Sequence, residues 1–189
     1  MNRLFISADI PDEIKEKVIE IRNEIYGLDK NIRWEGKEKL HFTLKFLGDV
    51  EESKNIAIMN ELQTILSNCK SINCSFSKFG LFNKGNLPSI LWLGLHYSSE
   101  LNQIAEAINN SFVKLGFEKE IRKFRPHLTL LRLKGREDIN RINDFLEYRL
   151  PEINFRINKI SVIKSELLRS GSVYSKIKSF ELNNRRENE

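Results

Sequence analysis

The stretch His41-Phe42-Thr43-Leu44-Lys45-Phe46-Leu47-Gly48 decides how this sequence folds, because its beginning returns later as His127-Leu128-Thr129-Leu130. The chain has only three histidines, and two of them begin this pattern. Each copy is a short apolar run followed by a glycine, which is typical of a strand that ends in a turn. Two strands of one kind, separated by nearly half of the chain, predict two similar lobes.

The composition is that of a globular protein. Among 189 residues, 40% are hydrophobic and 30% are charged, and the net charge of +5 favours polyanionic partners without proving any. No stretch has the apolar length of a membrane span, and the N-terminus begins with strand-like alternation rather than a signal peptide. We therefore expect a cytoplasmic protein, a monomer, without membrane contact. The two cysteines, Cys69 and Cys74, have no histidine nearby in sequence to complete a zinc set, and we expect both to be buried.

Strand and helix patterns are interspersed along the chain. We predict strands near 3–9, 41–47, 75–82, 90–95, 127–133, 153–163 and 173–181, helices opened by Pro11 and Ser53, helices over 100–115 and 138–148, and a frayed tail from 183 to 189. Turns of hairpin type between several of these segments favour antiparallel pairing. The predicted fold class is therefore α+β, in one bilobal domain over residues 1–189, with one motif in each lobe.

The His-x-Thr spacing has a chemical consequence on a strand. Side chains alternate between the two faces, so His41 and Thr43 share one face, and His127 and Thr129 do the same. If the two lobes are related by a pseudo-two-fold axis, two imidazoles and two hydroxyls surround one cavity. A tetrahedral oxyanion fits such a cavity.

In-line displacement at phosphorus requires a proton to be removed from the attacking oxygen and another to be delivered to the leaving oxygen. Histidine, with a pKa near 6.5, can serve as either group at physiological pH. A cyclic phosphodiester suits this pair because ring opening releases strain. We expect no cofactor and no metal, since a two-histidine site without a nearby carboxylate binds metal weakly. His96, which has no threonine two residues later, we interpret as structural.

At these residues the chain resembles the two-histidine phosphoesterase superfamily, and in particular the bacterial and archaeal RNA 2′,3′-cyclic phosphodiesterases, formerly described as 2′-5′ RNA ligases. The resemblance covers nearly the full length. Besides the paired motifs it rests on segments in the family's order: Arg3-Leu4-Phe5-Ile6, Trp92-Leu93-Gly94, Phe124-Arg125-Pro126, and Ser165-Glu166-Leu167 with Gly171 and Tyr174.

The resemblance implies a bilobal fold with antiparallel sheets, helices on the outer sides and the active cleft between the lobes. It also implies the opening of a terminal 2′,3′-cyclic phosphate on RNA to a 2′-phosphate. By that resemblance His41 is the proton donor to the leaving 3′-oxygen, His127 is the base that activates water, and Thr43 and Thr129 hold the phosphate. Arg132 matches a family arginine near the phosphate. Strict alternation places Arg132 on the face opposite His127 unless a bulge intervenes.

Several assignments stay open on the sequence alone. Lys45 keeps the parity of the motif and is a candidate for the cleft, Lys123 and Arg125 are candidates for attracting RNA, and Trp34 and Phe46 are candidates for base stacking, with core packing the favoured interpretation of Phe46.

The substrate is open as well. A cyclic nucleotide metabolite or a 2′-5′-linked oligonucleotide is an alternative to an RNA terminus. A non-catalytic module that binds RNA ends is an alternative to the enzyme. Reversible 2′-5′ RNA ligation is a candidate side activity, because a catalyst of ring opening also catalyses closure.

Overall fold

The structure is a computed structural model that describes residues 2–96, 98–169 and 171–183. These residues form eight strands and four α-helices. The strands are β1 (Asn2–Ala8), β2 (Phe42–Val50), β3 (Ile72–Lys84), β4 (Leu87–Leu95), β5 (His127–Arg132), β6 (Asn154–Ile157), β7 (Lys159–Leu168) and β8 (Gly171–Glu181). The helices are α1 (Asp12–Tyr26), α2 (Asn55–Leu66), α3 (Ser99–Ser111) and α4 (Ile139–Glu147).

The strands form two four-stranded sheets. Sheet 1 has the order β2-β1-β7-β8 and sheet 2 the order β5-β4-β3-β6, and all neighbours within a sheet are antiparallel. This confirms the predicted α+β fold. The two motif strands, β2 and β5, occupy equivalent places, because each is the edge strand of its sheet and each pairs with the strand that precedes it in the chain.

The helices are exchanged between the halves. Helix α3, which follows β4 of sheet 2, packs on β2 of sheet 1, whereas α1, which follows β1 of sheet 1, packs on α4, and α4 packs on β3 of sheet 2. Sheet 1 therefore carries a helix that belongs in sequence to the other half, and the helix that packs on sheet 2 is itself covered by a helix from the other half. This exchange joins the two lobes through their hydrophobic cores.

Several element ends differ from the sequence prediction. Helix α2 begins at Asn55 after a short 3₁₀ turn rather than at a Ser53 cap, and α3 ends at Ser111, where another 3₁₀ turn follows. The single strand predicted near 153–163 is two strands, β6 and β7, interrupted at Asn158. The predicted tail from 183 lies outside the described residues except for Asn183, whose backbone bonds to Cys69 and Ser71. Cys74 is buried as expected, and Cys69 is only partly buried.

The two lobes meet at the motif strands, and we call the face of each sheet that is opposite to its helices the cleft face. β2 and β5 approach each other across the lobes, and the backbone N–H of Glu35, in the segment that leads into β2, donates to the carbonyl of Leu130 in β5 over 2.9 Å. Among the described residues, no helix is long and apolar enough to cross a membrane.

Candidate active site

The cleft face of sheet 1 carries the first motif. Strand register pairs Thr43 with Ser7 and Phe46 with Phe5, so these side chains share the face opposite to the helices. The ring of His41, immediately before β2, stacks on Phe5 with centroids 4.9 Å apart. His41 and Thr43 therefore face the cleft, as the spacing predicted.

A bulge in β5 decides the orientation of Arg132. Trp92 pairs with Thr129 and Leu91 with Leu131, so Leu130 is an extra residue on β5. An extra residue shifts the alternation by one position, and Arg132, paired with Ile90, joins Thr129 and His127 on the cleft face. The bulge that the sequence analysis gave as the exception to strict alternation is therefore present, and Arg132 lies on the same face as His127.

A matching bulge in β2 removes Lys45 from the cleft. Ser7 pairs with Thr43 and Ile6 with Lys45, which leaves Leu44 as the extra residue. Lys45 consequently points to the helix side, where it is 6% exposed and its Nζ donates to Asn109 Oδ1 over 2.9 Å and to the carbonyl of Glu118 over 2.8 Å. The candidate role of Lys45 in the cleft is wrong.

The same bulge turns Phe46 outward. Its side chain is 73% exposed on the cleft face, at 6.1 Å from Phe5 between ring centroids. Core packing, the favoured interpretation of Phe46, is wrong. The alternative stacking candidate, Trp34, packs instead against Tyr26, Phe145 and Arg22 at the base of α1 and α4.

His127 is packed against two aromatic rings, and a hydrogen bond fixes the tautomer of its imidazole. The ring of Phe82 meets the imidazole edge to face at 4.9 Å, and Trp92 lies at 6.4 Å between centroids. Nδ1 of His127 is 2.7 Å from the carbonyl oxygen of Arg125. Because a carbonyl only accepts, Nδ1 carries the proton of the neutral ring and Nε2 is left with its lone pair.

Glycines make room for Trp92 beneath His127. A Cβ atom on Gly80 would overlap the indole ring, and one on Gly94 would stand 2.9 Å from it. Only glycine at both positions lets the indole lie flat on the sheet as the floor of the cleft.

The surroundings of His41 are equally apolar. Phe5 stacks on its ring, and Tyr174 of β8 approaches edge to face at 5.6 Å. Burial lowers the pKa of His41 to about 4, while the Asp9 carboxylate and a hydrogen bond to the Lys39 carbonyl act in the opposite direction. Burial likewise lowers the pKa of His127, against the hydrogen bond to the Arg125 carbonyl. Both imidazoles are therefore neutral at pH 7 in the free protein.

One cation acts on both histidines. The positive charge of Arg132 contributes to the lowered pKa of His41 and also to that of His127. It also opposes the burial that raises the pKa of Tyr174. Because the effect of a charge weakens with distance, this shared influence favours a common site for the two histidines. His41, Thr43, His127, Thr129 and Arg132 lie on the faces of their sheets that are opposite to the helices, and their meeting in one site stays a prediction.

Two further cleft residues were missed in the sequence. Phe5 supports His41, and Glu35 is paired with Arg132, its Oε1 lying 3.3 Å from Nε of the arginine. Strand alternation at residues 3–9 placed Phe5 opposite to the core side chains, but nothing in the irregular stretch around Glu35 marked its contact. Lys123 and Arg125 are exposed just before β5, and His96 is exposed after β4. Within the described chain, no group of three or more histidine, cysteine or acidic side chains is arranged to hold a metal ion.

Comparison with known sequences identifies relatives of this chain. The sequence model of the 2′-5′ RNA ligase superfamily matches residues 10–168. A protein of Methanocaldococcus jannaschii named RNA 2′,3′-cyclic phosphodiesterase is 32% identical over 180 residues, which cover 94% of this chain and 99% of the relative. A protein of the same name from Methanothermobacter thermautotrophicus is 29% identical over 182 residues, with 95% and 98% coverage.

Solved structures share the fold. The protein TT0787 of Thermus thermophilus superposes with a TM-score of 0.79 at 19% identity, covering 97% of this chain and 100% of its own. LigT of E. coli, solved in complex with 3′-AMP, superposes with a TM-score of 0.75 at 24% identity, covering 96% and 98%. At these identities the likeness establishes the fold, two four-stranded antiparallel sheets with helices.

Proposed function

Because this chain belongs to the 2′-5′ RNA ligase superfamily, we propose that it is a hydrolase that opens 2′,3′-cyclic phosphodiesters at RNA ends and leaves a 2′-phosphomonoester. Relatives that match nearly its whole length carry the name RNA 2′,3′-cyclic phosphodiesterase. The proposal is supported by the position of His41 immediately before edge strand β2 and of His127 on edge strand β5, and by the contribution of the Arg132 charge to the lowered pKa of both imidazoles.

In the proposed mechanism His127 is the general base. Its Nδ1–H is held by the Arg125 carbonyl, so Nε2 can accept a proton from the attacking water. His41 is the general acid that donates a proton to the leaving 3′-oxygen. The ring then opens, the phosphorus keeps its bond to the 2′-oxygen, and the two histidines exchange their protonation states.

The negative charge of the substrate favours the protonated form of His41, which is the form that acts as the acid. His41 is neutral in the free protein because burial lowers its pKa to about 4. A phosphate anion bound beside it supplies the negative charge that favours the imidazolium form. Substrate binding thus favours protonation of His41, the group that donates the proton in the reaction. This effect requires a bound phosphate.

The remaining polar groups bind the phosphate. The hydroxyls of Thr43 and Thr129 lie on the same strand faces as the histidines and donate to the non-bridging oxygens. Arg132, turned to the cleft by its bulge, balances the charge that gathers there in the transition state. Phe46 offers an exposed ring at the cleft on which the terminal base can stack.

The test is incubation of the protein with an RNA that ends in a 2′,3′-cyclic phosphate, followed by identification of the hydroxyl that keeps the phosphate. Formation of a 2′-phosphate, with and without a chelator, is the expected result. Parallel reactions with a nucleoside 2′,3′-cyclic phosphate and a 2′-5′-linked oligonucleotide measure substrate preference, and a 5′-hydroxyl RNA added to the first reaction detects ligation. Binding of the cyclic end without any opening would leave the RNA-end-binding module as the correct interpretation.

A further inference from the structure

Glu35 places a negative charge at the phosphate side of the cleft. Its Oε1 lies 3.3 Å from Nε of Arg132, and its Oε2 lies 3.7 Å from Nζ of Lys39. The glutamate side chain is only 17% exposed, whereas that of Arg132 is 52% exposed. A carboxylate so close to an arginine that is expected to bind an anion has a direct effect on which anions bind.

The backbone fixes this carboxylate in place. The N–H of Glu35 donates to the carbonyl of Leu130, the extra residue of the β5 bulge, over 2.9 Å. The bulge therefore does two things. It turns Arg132 into the cleft, and it anchors the segment that supplies the partner of Arg132. Glu35 also contributes, after burial, to the raised pKa of Tyr174 on β8, whose ring lies 5.6 Å from that of His41 between centroids.

The ion pair of Arg132 with Glu35 is made at Nε, on one edge of the guanidinium. A guanidinium donates up to five hydrogen bonds in a planar fork. An ion pair at Nε orients the fork, and its Nη end can then present paired donors of the kind that bind phosphate oxygens. A bound phosphate and Glu35 would then lie on opposite sides of one guanidinium.

Substrate and product differ in charge. A cyclic phosphodiester carries one negative charge at all pH values near neutrality, whereas a phosphomonoester carries close to two because its second pKa is about 6. Glu35 repels both, and the dianion more strongly. We propose that Glu35 is a specificity-determining residue that orients Arg132 and biases the site toward the singly charged cyclic substrate and against the doubly charged product. This inference rests on the proposed function.

The experiment compares two competitive ligands that differ by one charge, adenosine 2′-monophosphate and its monomethyl ester. Dissociation constants are measured by calorimetry at pH 7.5 for the wild type and for Glu35→Gln, which keeps an oxygen acceptor for Arg132 Nε but removes the charge. The ratio of the monoester constant to the methyl ester constant should fall at least about threefold in Glu35→Gln, because the dianion gains more than the monoanion. Glu38→Gln removes the same charge from an exposed position of the same segment and should leave the ratio unchanged.

An unchanged ratio in Glu35→Gln would overturn the inference, and so would an equal weakening of both ligands, which would reduce Glu35 to a support for Arg132. Calorimetry needs no turnover. Failure of the wild type to open a cyclic phosphate would therefore refute the proposed function while the ratio still reported the effect of Glu35.

Discussion

Arg132 and Phe46 occupy equivalent positions in the two lobes. Each lies five residues after a motif histidine, each follows a bulge whose extra residue is the leucine after the motif threonine, and each is turned to the cleft by that bulge. The duplicated frame thus presents an arginine on one side and an exposed aromatic ring on the other.

Because of this difference, the two sides of the cleft are suited to different parts of a nucleotide. An arginine binds phosphate oxygens, and an aromatic ring binds the face of a base. The two histidines are equivalent, whereas the two binding residues differ. This suits a reaction in which a nucleoside is attached to one side of the phosphate and water attacks from the other.

Replacement of either histidine by alanine should remove the activity. We expect His41→Ala and His127→Ala each to lower kcat by about 10²- to 10⁴-fold, the usual contribution of a general acid or base. Binding of adenosine 2′-monophosphate should change much less, because the threonines and Arg132 remain. His96→Ala, at an exposed position after β4, is the matched control and should retain full activity. Thermal melts confirm that the variants fold, and a folded His127→Ala with wild-type turnover would contradict the mechanism.

The pH dependence should differ between the free protein and its complex. Burial lowers the pKa of His41 to about 4 and also that of His127, and the general acid must be protonated. As pH rises, kcat/KM should therefore decline through a pKa below 6.5, the ordinary value. A bound phosphate anion raises the pKa, so the corresponding decline in kcat should lie at higher pH. Rate measurements from pH 4 to 9 check this. Declines of kcat and kcat/KM at the same pH would show that a bound phosphate does not raise the pKa of His41.

Arg132 should matter through its geometry as well as its charge. Loss of hydrogen bonds to a charged group costs about 1.5–3 kcal/mol, so Arg132→Ala should lower kcat/KM by about 10- to 150-fold. Arg132→Lys keeps the charge but not the planar fork, and it should recover only part of the loss. Arg136→Ala, an exposed arginine in the turn after β5, is the control. Full activity of Arg132→Ala in steady-state kinetics would exclude the phosphate role.

Phe46 should affect binding without affecting stability. Its ring is 73% exposed, so Phe46→Ala should leave the melting temperature nearly unchanged. Stacking of a base on an aromatic ring contributes about 1–3 kcal/mol, so KM for a cyclic-phosphate RNA end should rise by about tenfold while kcat changes little. Phe46→Trp should preserve binding. Leu87→Ala, at the tip of the β3–β4 hairpin and 74% exposed, is the matched apolar control, and an equal effect of both alanine variants would argue against stacking.

The bulges show where sequence patterns stop being informative. Alternation correctly placed His41 with Thr43 and His127 with Thr129, because no extra residue intervenes within either pair. Beyond the threonines it failed for Lys45, Phe46 and Arg132, because an inserted residue reverses the face of every position that follows. Whether a leucine is paired or bulged depends on the neighbouring strand, which the local sequence does not describe.

Tertiary contacts explain the residues that were missed. Glu35 meets Arg132 only because a loop bond joins the first half of the chain to the free edge of β5. The packing of α3 on sheet 1 and of α1 on α4 is likewise decided by tertiary contacts. Both helices have an apolar face, and that pattern does not specify which sheet covers it.

The sequence by itself determined the α+β class, the duplicated plan and the two imidazole–hydroxyl pairs, because the two-residue period of a strand acts over a few neighbouring positions. Only the tertiary structure decided that Arg132 and Phe46 face the cleft, that Lys45 faces the helices and that Glu35 forms an ion pair with Arg132. Those outcomes depend on register and on contacts between distant segments, which become defined only when the sheets and helices pack together.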